Sequence, residues 1–120
     1  MRNLDGIKER YMQDSLPIRL GGLAADLARI HSFLDHPKNT DVIGSLLNES
    51  CWFVEWSAGD LCPERAEEAE QLVDIHRGLV RWYRNWGEAQ HDPAQRAQLA
   101  EQAQAWSDQV LKMSGLLDQE

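Results

Sequence analysis

A chain of 120 residues amounts to about one domain and is long enough to bury a core without disulfide or metal staples. Its 42% apolar content is too high for a disordered chain, and a formal net charge of −8 repels phosphate backbones and anionic lipid surfaces. Nonspecific DNA, RNA and membrane-surface binding are therefore disfavoured, and no apolar run approaches the ~18 residues that cross a bilayer.

The opening segment "MRNLDGIKER" is charged and lacks an apolar h-region, so no signal peptide is expected and the cytoplasm is the default location. A short N-terminal helix is expected to carry Leu4, Ile7 and Tyr11. "DSLP" (14–17) supplies a helix start, with Asp14 or Ser15 as cap and Pro17 in the first turn. The helix it opens, about 17–35, repeats Leu16, Leu20, Leu23, Leu27, Ile30 and Leu34 at intervals of three and four. Gly21 and Gly22 weaken it by roughly 1 kcal/mol each relative to alanine, and their smallness suits close approach by a neighbouring helix.

"DHPKNTD" (35–41) reads as a turn, with Thr40 or Asp41 capping a helix over 41–58. Val42, Ile43, Leu46, Phe53 and Trp56 share a face of that helix. "AGDLCPE" (58–64) stops it at Gly59 and starts the next at Pro63. Over 63–87 the expected inward seam is Ala66, Ala69, Val73, His76, Val80 and Tyr83. "GEAQHDP" (87–93) breaks at Gly87 and reopens at Asp92–Pro93. The last helix, 93–117, carries Leu99, Ala103, Trp106, Val110, Met113 and Leu117. No segment alternates with period two, so no strands are expected. Short loops favour antiparallel neighbours, and the expected fold is all-α: an antiparallel four-helix bundle with a short additional N-terminal helix, one domain over 1–120.

The two cysteines, Cys51 and Cys62, form no CxxC pair and so give no thiolate zinc site; both are read as reduced.

Three positions break the apolar pattern. With Phe53 as zero, Glu49 falls at about −40°, between Leu46 at about 20° and Trp56 at about −60°, whereas Glu55 falls on the opposite side. Glu49 is therefore expected to point inward, where an ionised carboxylate needs a partner. His31 lies near Leu27 on its helix, and His76 occupies the seam between Val73 and Val80. Folding back at the short loops sets the two histidines at a similar height, with Glu49 about one turn away and Gln102 and Trp106 near the same level. The plain reading is a satisfied core network. The sharper readings are a metal site for iron or zinc, or general acid–base chemistry by the same three residues. Neither His31 nor His76 stands in the Glu-x-x-His signature of bundle metal sites, no nucleophile accompanies the cluster, and no cofactor is predicted.

The stretch "RNWGEAQH" (84–91) resembles the Arg-(four to six residues)-His motif of the HEPN family, small all-helical domains that often act as toxin ribonucleases. The resemblance implies that Arg84 and His91 would act at a scissile phosphate, with Asn85 beside them; the plainer reading of His91 is an exposed loop residue. A second apolar stripe, Ile75, Leu79, Trp82 and Trp86, lies nearly opposite the Val73 seam. It must be covered by the N-terminal helix or by another protein, including a second copy, and is the expected interface. Arg77, Arg81 and Arg84 read as a solvated flank.

Taken together, "LPIRLGGLAADLARIHSF", "LLNESCWFVEWSA" and "AWSDQVLKMSGLL" resemble a family of small helical proteins of unknown function associated with cyanobacteria. The resemblance covers most of the chain, implies a freestanding cytoplasmic domain, and brings no activity or site residues. The leading expectation is a noncatalytic bundle that binds a protein partner or itself, ahead of a metal-dependent or acid–base enzyme and a HEPN-like ribonuclease.

Overall fold

A computed structural model describes residues 4–61 and 64–118. Within them are five α-helices and no strand: α1 (Leu4–Gln13), α2 (Leu16–Phe33), α3 (Thr40–Ala58), α4 (Ala66–Ala89) and α5 (Pro93–Ser114). Single 3-10 turns occupy Pro37–Asn39, Gly59–Leu61 and Leu116–Asp118.

The punctuation residues act locally as their chemistry requires. Ser15 is extended before α2, which takes Pro17 into its first turn, where the missing N–H costs nothing. Asp92 caps α5, its Oδ1 accepting from the Ala94 N–H at 2.9 Å. Gly115 ends α5 with a φ of 74°, a left-handed conformation that a side chain would strain. Gly87 does not break α4 as expected: the helix runs on to Ala89, because Trp86 and Ala89 on either side of that glycine are anchored in the core. The expected start at Pro63 lies outside the described residues, and α4 is helical from Ala66.

α2 is the middle helix. It packs most closely on α5 and also on α3; α3 in turn packs on α4, and α1 lies against α3. Leu20, Leu23, Leu27 and Ile30 of α2 are fully buried, as the sequence pattern requires. Ile43, Leu47 and Val54 of α3 and Leu99, Ala103 and Val110 of α5 close over them, whereas Val42 and Leu117, expected inside, are exposed.

The largest departure is α4. Its buried face is Ala69, Leu72, Ile75, Leu79, Trp82, Trp86 and Ala89, and Val73 and Tyr83 face solvent. The helix is turned by roughly 100° from the expected seam. The bulkier residues won: burying Leu72, Ile75, Leu79 and two tryptophans removes far more apolar area from water than burying valines and alanines.

α4 and α5 stay farther apart than the other packed pairs, because indole rings fill the space between them. Trp82 Nε1 donates to Gln102 Oε1 at 2.7 Å, and the Trp106 ring lies against Gly78. At one end of the molecule Trp86 Nε1 donates to Thr40 O at 2.9 Å, Arg96 lies over the Trp86 ring, and Arg96 Nη2 donates to Leu34 O at 2.9 Å. At the other end, buried Arg19 pairs with Asp60 at 2.8 Å and donates to Asp14 O, while Tyr11 stacks on Phe53 and its hydroxyl meets Ser57 Oγ and Arg19 O, each at 2.9 Å. Thus α1 is fastened by Tyr11 to α2 and α3, and it does not cover α4.

Two glycines predict opposite outcomes. A Cβ on Gly78 would lie 2.6 Å from Trp106, whereas one on Gly22 would meet nothing within 4 Å. Gly78→Ala is expected to destabilise the fold by about 1–3 kcal/mol through overpacking, and Gly22→Ala to stabilise it by about 0.5–1 kcal/mol through helix propensity. Urea unfolding of both variants beside the parent chain measures the two signs.

Candidate functional site

The three residues expected to share one dry layer are dispersed among different neighbours. His31 is half-buried and its Nδ1 donates to Ala100 O on α5 at 2.7 Å. His76 has moved with the turn of α4: it lines an outer groove with Arg77, Val80, Arg81, Arg84 and Asn85. Glu49 is half-buried, and it neighbours Asp26 of α2 rather than the two histidines. No group of three or more His, Cys, Asp or Glu side chains able to hold a metal ion occurs among the described residues. The His31–Glu49–His76 cluster is therefore not formed. Its premise failed at α4, since turning that helix carried His76 off the inner face.

The carboxyl pair that exists instead is the most unusual polar feature of the interior. Asp26 is only 2% exposed. Its Oδ1 accepts from Arg29 Nη1 at 2.8 Å, one helical turn along α2, and Arg29 reaches out to solvent. Its Oδ2 is buried without a fixed donor, and Glu49 stands within hydrogen-bonding reach of Asp26. Burial and the neighbouring carboxyl both favour the protonated form of Asp26. Two adjacent carboxylates cannot both ionise cheaply in a poorly solvated place. Burial first, then the hydrogen bond and the negative charge of Glu49, push the Asp26 carboxyl up to about 8, with Arg29 pulling the other way.

Such a pair holds an acidic proton near neutral pH, the state enzymes use for general acid catalysis. Glu49 also lines a shallow groove of about 270 Å³ with Asp41, Val42, Ser45 and Leu46. Its described lining residues include no lysine, arginine, histidine or cysteine. Nearby Cys51 is not a nucleophile at neutral pH, because burial pushes its thiol up to about 11.

The remaining sequence candidates are placed as follows. Arg84 is exposed and lines the outer groove of α4 together with Asn85, while His91 is exposed in the turn beyond Ala89 and is not part of that groove. Ile75, Leu79, Trp82 and Trp86, expected as an interface, belong to the chain's own core and are covered by it. The inner surface of α4 and the outer surface have exchanged roles: the face left to solvent carries Val73 at 42% exposure, Tyr83 at 47%, half-buried Val80 and the three arginines. A smaller cleft of about 200 Å³ between α4 and α5 adds Arg81, Asn85, Gln98 and Gln102.

The chain has no significant similarity to any family model, any curated protein or any solved structure.

The Asp26–Glu49 pair makes a pH prediction. An unfolded aspartate ionises near 3.8 and the folded one near 8, so between those values the folded chain binds a proton that the unfolded chain has released. The contribution of this group to stability is then greatest below pH 3.8, falls as pH rises, and reaches its floor above about 8. Asp26→Asn imitates the protonated acid, keeping an acceptor for Arg29 and giving Glu49 a donor. It is expected to flatten this slope and to stabilise the protein at pH 8 by an amount on the order of a few kcal/mol. Denaturant unfolding of both proteins at pH 5 and pH 8 checks it.

Proposed function

We propose that this protein is a noncatalytic antiparallel four-helix bundle, braced by the short α1, that works by binding a protein along the outer face of α4. Support for the bundle comes from the order of packing. Short connections join α2 to α3, α3 to α4 and α4 to α5, each consecutive pair is in contact, and α2 against α5 closes the set.

The observation that carries the binding reading is the composition of the outer face of α4. Val73 and Tyr83 are large apolar side chains left in solvent on a helix whose opposite side already satisfies the core. Val73 and half-buried Val80 run beside Arg77, Arg81 and Arg84 and a groove of about 540 Å³, while Tyr83 lies at the α3 edge of the same helix. Arginine and tyrosine with interspersed aliphatic area are typical of protein-binding surfaces, and a folded chain gains nothing from leaving them together in water. No described helix is long and apolar enough to cross a membrane.

Site-specific photocrosslinking tests the reading. A benzophenone amino acid at Val80 is expected to give a protein adduct in cells. The same group at Glu101, exposed on α5, serves as the control. Adducts at position 80 no stronger than at position 101 would overturn the proposal.

A further inference from the structure

The charges along the outer edge of α4 follow an order that a single helix does not benefit from. Glu67, Glu70, Asp74, Arg77, Arg81 and Arg84 recur at intervals of 3, 4, 3, 4 and 3 residues, so they lie on one stripe, and all six are exposed. Their signs come in two blocks, three acids and then three arginines. Side chains three and four apart on a helix are neighbours, and here every successive pair but one carries like charge. The exception is Asp74–Arg77, an ion pair of 3.4 Å with both side chains 74% exposed. The side chains of Glu67, Glu70, Arg81 and Arg84 have no hydrogen bond or ion pair among the described residues. The helix macrodipole favours Glu67 near the start of α4, but it fades within one turn and does not reach Asp74, Arg77 or Arg81.

The blocks are complementary to themselves. Counting outward from the midpoint between Ile75 and His76, each acid has an arginine equally far on the other side: Asp74 and Arg77, Glu70 and Arg81, Glu67 and Arg84. A second copy of α4 laid antiparallel across that midpoint meets every acid with an arginine, and the two-fold axis repeats each pair. A parallel copy would set acid against acid. An unrelated acidic segment would satisfy the arginine block and be repelled by the acid block. Only a partner with the reversed order suits both, and a second copy has it.

Resting on the reading of this face as a protein-binding surface, we infer that the chain forms a two-fold homodimer through antiparallel α4 helices, with Glu67, Glu70 and Asp74 of each protomer paired to Arg84, Arg81 and Arg77 of the other. Val73 and Val80 flank the stripe and lose their water in the same contact.

Sedimentation equilibrium of the full chain is expected to show a dimer that weakens as salt is raised, because its pairs lie at an exposed rim. Glu70→Arg alone and Arg81→Glu alone each place like charges together twice per dimer and should weaken self-association by roughly three- to tenfold. The double variant Glu70→Arg/Arg81→Glu restores the pairing with the net charge unchanged and should return close to the parent affinity. All these positions are on the surface, and circular dichroism verifies that each variant keeps its helices. Mixing Arg77→Glu/Arg81→Glu/Arg84→Glu with Glu67→Arg/Glu70→Arg/Asp74→Arg should give a heterodimer where each alone is monomeric. A parent chain that stays monomeric at low salt, single variants that dimerise unchanged, or a double variant no better than the singles overturns the dimer. An adduct at Val80 with a different protein beside a monomeric parent overturns the dimer and keeps the binding surface; no adduct at Val80 overturns both.

Discussion

The fold depends on one constraint: α2 has to be covered on two sides at once. Its apolar stripe is served by α5 on one flank and α3 on the other, so its buried arc is wider than a helix facing a single neighbour would need. The arc takes in two residues that a narrower stripe would have left in water, Arg19 and Asp26. Each then required a partner from another segment. Arg19 obtained Asp60 and the carbonyls of Asp14 and Trp56, and in doing so it fastens the ends of α1 and α3 to the start of α2. Asp26 obtained Arg29, which pulls towards solvent, and Glu49, which is itself an acid. The raised Asp26 carboxyl is therefore a consequence of how α2 is sandwiched, and it links the packing of α2 on α3 to pH.

The same economy of partners holds for the tryptophans. Trp82 and Trp86 supply the apolar bulk that separates α4 from its neighbours, and their indole N–H groups find Gln102 and the Thr40 carbonyl. Trp106 reaches across from α5 and rests where Gly78 leaves room. With these rings turned inward, α4 needs nothing from its other side. That is why an amphipathic helix inside a bundle can display a continuous charged face.

Helix starts were legible because they are local chemistry: a capping aspartate before proline at 92–93 and a proline in the first turn of α2; the left-handed Gly115 ends α5 at Ser114, short of the expected 117. The inward stripes of α2 and α5 were legible because their leucines and valines leave no rival face. α4 was not, since two stripes of similar spacing compete along it. Spacing alone cannot choose between Val73–Val80 and Ile75–Leu79–Trp82–Trp86; side-chain volume can, and it favours the second. That one error moved His76 outward and dissolved the expected cluster. Glu49 is half-buried beside Asp26. Asp26 went unnoticed because it sits at the edge of the leucine arc, although its spacing from Leu23 and Ile30, three and four residues, was a visible sign.

The distribution of arginines gives the outer face of α4 its meaning. In a chain with 12 basic and 20 acidic residues, a cation has no shortage of anions to meet. Arg19, Arg29, Arg65 and Arg96 are all occupied within the fold, holding carboxylates or carbonyls of their own or neighbouring elements. Arg81 and Arg84 hold none, though Asp74 and Glu88 share their helix. Placing them with Arg77 in one block forgoes the weak gains of alternating charges along a helix, a few tenths of a kcal/mol per pair. It concentrates positive potential on one side of an otherwise acidic surface, an arrangement that speeds and orients association far more than it stabilises a monomer. The acids of the same stripe limit which partners can settle there, since any approach that matches the arginines alone meets Glu67 and Glu70 a few turns away. On the proposed reading, charge order on this helix serves recognition, on a helix whose apolar core contacts lie on the opposite face.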